Sequence, residues 1–142
     1  MKPRMAEGLL QGLKEAVEIE KNQPFILDSD MTVFCDVDGT LVSVTLAEDL
    51  PKNWKNDYIQ VGDAFWYLYK NNIKYLKTTR NRGHKIVVWS AGGVKWGKEV
   101  VEVLGLTNYV DIIMAKPRWY LDDLKAEEFM PEVNRIFKPN DK

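Results

Sequence analysis

Two apolar runs, residues 31–35 and Ile86-Val87-Val88-Trp89, each break off into a polar turn, and this recurrence constrains the fold more than any other feature. Each run reads as a buried strand. Helix-period patterns separate and follow them. Phe65, Leu68, Tyr69, Ile73 and Leu76 recur at three and four, predicting a helix over residues 64–82 with Gly83 as its stop. Val94, Val100, Val101 and Leu104 predict another, closed by Gly105. Further strands are expected at residues 110–114 and at Trp119-Tyr120-Leu121, the latter running into Asp122-Asp123. Strands alternating with helices indicate an α/β fold, a mostly parallel, Rossmann-like sheet flanked by helices. Leu9, Leu13, Ala16 and Val17 place an amphipathic helix over residues 5–21, limited by Pro24. Residues 41–63 alternate as short strands around Pro51-Lys52-Asn53 and read as a small flap.

At 142 residues the chain fits one domain spanning residues 1–142, large enough for a core without disulfide staples. Its net charge of −1 supplies no global drive toward nucleic acid or anionic membrane. Cys35, the only cysteine, lies within the first apolar run and reads as a small buried hydrophobe. His84, the only histidine, follows Gly83 in a turn and reads as structural. The start of the chain carries Glu7, Lys14, Glu15, Glu18 and Glu20 where a signal peptide would be apolar, and no run reaches the ~18 residues of a membrane span. The expectation is a cytoplasmic protein with no membrane partner.

The first apolar run ends in Asp36-Val37-Asp38-Gly39-Thr40. In an extended chain alternate side chains share a face, so Asp36 and Asp38 point the same way. Two carboxylates converging where a strand opens into a glycine turn call for a cation between them, and open α/β sheets place ligands at this edge. The alternative is an Asp-Gly hairpin turn. Two other strand ends carry complementary groups: Ser90 with Ala91, Gly92 and Gly93 after the second run, and Asp122-Asp123 after the last. Parallel strands bring their carboxyl ends to one edge, where these groups can meet.

At these residues the chain resembles the haloacid dehalogenase-like superfamily of phosphatases. Its first motif, Asp-x-Asp-Gly-Thr behind an apolar strand, is matched by Asp36 to Thr40; its second by Val87-Val88-Trp89-Ser90; its lysine by Lys116; its acidic pair by Asp122-Asp123. The resemblance covers roughly residues 31–123 and implies Mg²⁺-dependent phosphomonoester hydrolysis through an aspartyl-phosphate. It makes Asp36 nucleophile and metal ligand, and Asp38 the acid/base whose main-chain carbonyl binds the metal. One of Asp122 and Asp123 would complete the metal site. Lys116 would offset phosphate charge, and Thr40, Ser90 and the amides of Ala91, Gly92 and Gly93 would hold phosphoryl oxygens. The chemistry needs such groups, because a phosphate dianion repels an attacking carboxylate unless cations intervene.

Each residue also has a structural reading: Ser90 as a helix cap, Lys116 as a solvated lysine, the acidic pair as an N-cap for the segment that follows. Only residues 115–118 separate the last two expected strands. With strands ~4.8 Å apart and ~3.3 Å of advance per residue, so short a link can hardly cross two strands and descend the sheet. Either residues 110–114 form a short or irregular strand, or Lys116 sits low and reaches upward; Lys95 and Lys98 are the substitutes.

A flap of 23 residues is no large cap, and capless members of the superfamily act on bulky substrates. They include the phosphatase part of polynucleotide kinase-phosphatases. Residues 64–98 hold Lys70, Lys74, Lys77, Arg80, Arg82, Lys85, Lys95 and Lys98 without an acid, interleaved with Trp66, Tyr67, Tyr75 and Trp96. The expected substrate class is therefore a nucleotide or nucleic-acid-end phosphate, with phosphoprotein as the alternative. The competing reading is a catalytically weak binding or assembly protein whose N-terminal helix docks a partner or a second copy.

Overall fold

The computed structural model describes residues 31–140; the helix expected over residues 5–21 lies outside them. The chain forms β1 (Thr32–Cys35), β2 (Val42–Thr45), β3 (Tyr58–Val61), β4 (Ala64–Leu68), α1 (Lys70–Asn81), β5 (Lys85–Ser90), α2 (Val94–Val103), β6 (Ile112–Ala115) and α3 (Ala126–Phe129). Three strands, β1-β5-β6, make a parallel sheet with β5 in the middle. The central position explains the unbroken apolar run of β5, buried at every residue except Trp89. Helices α1 and α2 flank this sheet, and Gly97 of α2 faces Val88, Ser90 and Ile113. A second sheet, β2-β4-β3, is antiparallel. Val42 and Trp66 join Leu76, Ile86, Val88, Val100 and Leu106 in one core, tying the two sheets together. The α/β expectation is met, with no closed barrel among the described residues.

Two expected elements are corrected. The helix over residues 64–82 is split: its first part is β4, the middle strand of the antiparallel sheet, and the helix begins at Lys70. Phe65-Trp66-Tyr67 are strong strand formers, and the two-residue turn Gly62-Asp63, with Gly62 at φ +61°, folds β4 back on β3. Phe65 and Trp66 are both buried, Phe65 edge-on to Trp54 at 5.0 Å, so the strand shows no polar alternation to mark it. Residues 41–63 are accordingly part of a sheet completed by β4. The strand expected at Trp119-Tyr120-Leu121 does not form, and these side chains are 92%, 62% and 103% exposed. The short link after β6 leaves them no partner strand within reach.

At the amino end of β6, Asp111 binds β5 twice. Its main-chain N–H donates to the Ile86 carbonyl at 2.9 Å, and its Oδ2 accepts from the Ile86 N–H at 2.9 Å. Its Oδ1 pairs with the Arg80 guanidinium of α1 at 3.1 Å. One carboxylate thus fixes α1, β5 and β6 against each other. No described helix is long and apolar enough to cross a membrane.

Candidate active site at the carboxyl edge of the parallel sheet

In the parallel pairing Cys35 stands opposite Val88, so the turn that begins at Asp36 and the end of β5 at Ser90 leave the sheet at the same edge. The turn is tightly tied. The Thr40, Leu41 and Val42 N–H groups all donate to the Val37 carbonyl, and Gly39 N–H donates to the Val42 carbonyl at 2.8 Å. Gly39 takes φ +79°, a left-handed conformation that glycine adopts without strain. Val37 and Leu41 are fully buried, anchoring the loop from below. Asn72 of α1 holds it from the side, its Nδ2 donating to the Thr40 carbonyl at 2.9 Å while its Oδ1 accepts from the Lys138 N–H.

Asp36 is half-buried, and its carboxylate makes no hydrogen bond or ion pair among the described residues. Asp38 is exposed, and its Oδ1 accepts a hydrogen bond from Trp96 Nε1 at 3.0 Å. The Asp38 main-chain carbonyl accepts none of the turn's hydrogen bonds. The Asp36 carboxylate and this free carbonyl are hard oxygen donors of the kind Mg²⁺ takes, and Mg²⁺ ordinarily completes its shell with waters and substrate phosphate.

The remaining expected residues divide. Ser90 is 1% exposed; its Oγ accepts from the Gly92 N–H at 3.0 Å and its carbonyl from the Gly93 N–H at 3.1 Å. Two of the three amides expected to hold a phosphoryl group are therefore used inside the turn. Ala91 and Gly92 themselves are exposed beside it. Gly93, not Ser90, is the N-cap of α2, which removes the capping role considered for the serine. Lys116 follows β6 at this edge, its N–H donating to the Ser90 carbonyl at 2.9 Å. Its Nζ lies over the Trp89 ring, 5.7 Å from the centroid, and forms no ion pair with Asp36. Lys95 and Lys98 are exposed on α2.

Asp122 and Asp123 are both exposed, and among the described residues no three His, Cys, Asp or Glu side chains form a metal-holding group. Asp122 Oδ1 instead accepts from the Leu124 N–H at 2.9 Å, a local turn, and Lys125 is the N-cap of α3. The strand expected to lead into the acidic pair is absent from residues 119–121.

Half of the basic block is occupied structurally. Lys70 pairs with Asp57 at 3.1 Å, Arg80 with Asp111, Lys77 lies over Tyr109, and Lys85 is 8% exposed. Lys74, Arg82, Lys95 and Lys98 are exposed. Of the interleaved aromatics, Trp66 fills the core, and the Tyr67 hydroxyl accepts from Asn140. A groove of about 800 Å³ runs along β1 beside Tyr75 and residues 129–137 and reaches Asp36 and Thr40.

Burial, with a smaller contribution from the Asp36 charge, pushes the Cys35 thiol up to about 12. At pH 8 its thiolate fraction is then about a thousandfold below that of an ordinary cysteine. Cys35 is expected to react with an aromatic disulfide reagent slower by a similar factor in native than in unfolded protein, which a stopped-flow time course measures.

Sequence reasoning missed Asn72 as part of this site and placed Trp96 only among the aromatics interleaved with the basic block. A signal for Asn72 was present: Asn72, Leu76 and Thr79 are the buried stripe of α1, so a polar amide stood at an apolar position. No local pattern marks Trp96, whose partner lies 58 residues away. No family model matches this chain, and no curated protein or solved structure is similar enough to it to count as a match.

Proposed function

We propose that the chain is a small capless phosphatase of the haloacid dehalogenase-like kind, hydrolysing phosphomonoesters at Asp36 with Mg²⁺ as cofactor. The observation that carries this reading is the unengaged Asp36 carboxylate, in a tied turn beside the end of β5. An Asp36 oxygen attacks phosphorus as the bond to the leaving oxygen breaks, and Asp38 gives that oxygen its proton. Water then attacks the aspartyl-phosphate, Asp38 takes the water's proton, and the bond to Asp36 breaks, releasing phosphate. Asp36 and the Asp38 carbonyl would hold the ion, which would supply positive charge against the phosphate dianion. Asp38 and Asp36 are thus distinguished by their surroundings: one oriented by an indole, the other left free to attack.

The substrate class proposed first is a nucleotide or nucleic-acid-end phosphate, supported by exposed Lys74, Arg82, Lys95 and Lys98. A phosphorylated peptide is the second reading, favoured by the aromatic groove that leads along β1 to Asp36. Chelation with EDTA is expected to reduce turnover of an aryl phosphate at least about a hundredfold, and added Mg²⁺ to restore it. A panel of nucleoside monophosphates, 3′-phosphorylated oligonucleotides and phosphopeptides then separates the two classes by kcat/KM. Well-folded protein without turnover at any pH from 5 to about 9 would favour a binding role instead.

A further inference from the structure

We propose that Trp96 is a positioning residue for Asp38, committing one carboxylate oxygen and presenting the other for proton transfer; this rests on the phosphatase reading above. Asp38 is exposed, so by itself its carboxylate would sample several rotamers in water. The indole Nε1–H of Trp96, in the first turn of α2, donates to Asp38 Oδ1 at 3.0 Å. An indole N–H is a donor only, so the oxygen it faces must act as acceptor. Oδ1 is therefore withdrawn from proton exchange with substrate, and Oδ2 is left as the oxygen that gives and takes the proton.

The indole is itself held in place. Its ring meets the Trp66 ring edge-on, with centroids 5.3 Å apart and planes at 76°, and Trp66 is only 2% exposed in the core. Gly92 also lies against the ring. A Cβ built there would lie 2.9 Å from Trp96 Cδ1, closer than side chains approach each other, so the seat of the ring requires a glycine. The turn after β5 thus does for Asp38 what it was expected to do for the phosphate: it fixes a reacting group through the ring that packs on it. Trp66 in turn transmits the position of β4 to the acid/base, which gives the antiparallel sheet a part in the chemistry.

The test compares wild type with Trp96→Phe, in the full chain with Mg²⁺, on two phosphate esters. Dinitrophenyl phosphate has a leaving group that departs without a proton; a simple alkyl phosphate needs one. A misplaced proton donor is expected to lower kcat on the alkyl ester by about a hundredfold, with KM unchanged. On the dinitrophenyl ester the burst of dinitrophenolate, which reports formation of the aspartyl-phosphate, is expected to slow by less than about threefold, because that step requires little proton donation, while the later hydrolysis step slows for both esters. A dinitrophenolate burst slowed as much as alkyl-ester turnover, or no loss on either ester, would overturn the proposal while leaving the phosphatase reading intact. Wild type that hydrolyses neither ester would sink the phosphatase reading and the proton-transfer role with it. The contact is read independently of turnover from the indole N–H resonances in wild type and Asp38→Ala. Movement of the Trp96 signal alone among the five tryptophans supports the bond, and an unmoved Trp96 signal overturns it.

Discussion

Asp36→Asn is expected to lower Mg²⁺-dependent hydrolysis of an aryl phosphate at least about a thousandfold while leaving the thermal unfolding transition nearly unchanged. The amide has the shape of the carboxylate but is a poor nucleophile and carries no charge to hold a cation. No structural bond is lost, because the Asp36 carboxylate has no hydrogen-bond or ion-pair partner among the described residues. The turn around it is tied through main-chain groups of Val37, Gly39 and Val42, which the substitution does not touch. Stability is therefore expected to stay within about 0.5 kcal/mol, as for substitutions that disturb no packing or buried bond. A quenched single turnover would show phosphate bound to wild-type protein and none on the variant. Residual turnover above about a tenth of wild type would mean that another group attacks phosphorus. A smaller effect accompanies it: part of the upward push on the Cys35 thiol comes from the Asp36 charge, so the thiol of Asp36→Asn should react somewhat faster.

The largest loss of stability is expected from Asp111→Ala. The Asp111 side chain is 2% exposed and meets three elements, accepting from the Ile86 N–H of β5 and pairing with Arg80 of α1 from its place beside β6. Removing it strands the Ile86 N–H and leaves the guanidinium, 27% exposed, without its counter-charge. Arg80 Nε already lacks a partner among the described residues, so the guanidinium has little other support. Breaking a buried pair from one side typically costs about 3–5 kcal/mol. For a chain of this size that is a fall in Tm of roughly 10 °C or more, measurable by calorimetry or circular dichroism. Asp111→Asn keeps an oxygen for the Ile86 N–H and should lose about half as much. Equal stability of Asp111→Ala and wild type would show that water replaces the carboxylate at little cost.

The two predictions separate the two ends of the parallel sheet. Asp111 serves the amino end, where a buried charge binds elements together, and Asp36 the carboxyl end, where a charge is left unpaired. A carboxylate is costly to bury without partners and cheap to leave at an open edge, so only the second is free for chemistry.

Local sequence determined β1, β5, the turn of Asp36 to Thr40 and α2, because each is specified by neighbours in the chain. An apolar run with no alternation suits a central parallel strand, and Gly39 and Gly105 mark conformations at positive φ that few other residues take. The pairing of the acid turn with the end of β5 followed from topology alone, since parallel neighbours share an edge. Other features depended on partners distant in sequence. Ala64–Leu68 matches a helical period but lies between β2 and β3, and inter-strand pairing overrode the local pattern. Trp119-Tyr120-Leu121 has strand-forming residues but forms no strand, so it stays exposed and no strand leads into Asp122-Asp123. The basic block of residues 64–98 lost half its charges to Asp57, Asp111, Tyr109 and the core. Trp96 met Asp38 only because α2 packs on the core beside Trp66. Chain-local forces set where backbone can bend or bury itself; which side chains meet across 58 residues is decided by packing, whose energy belongs to no single segment.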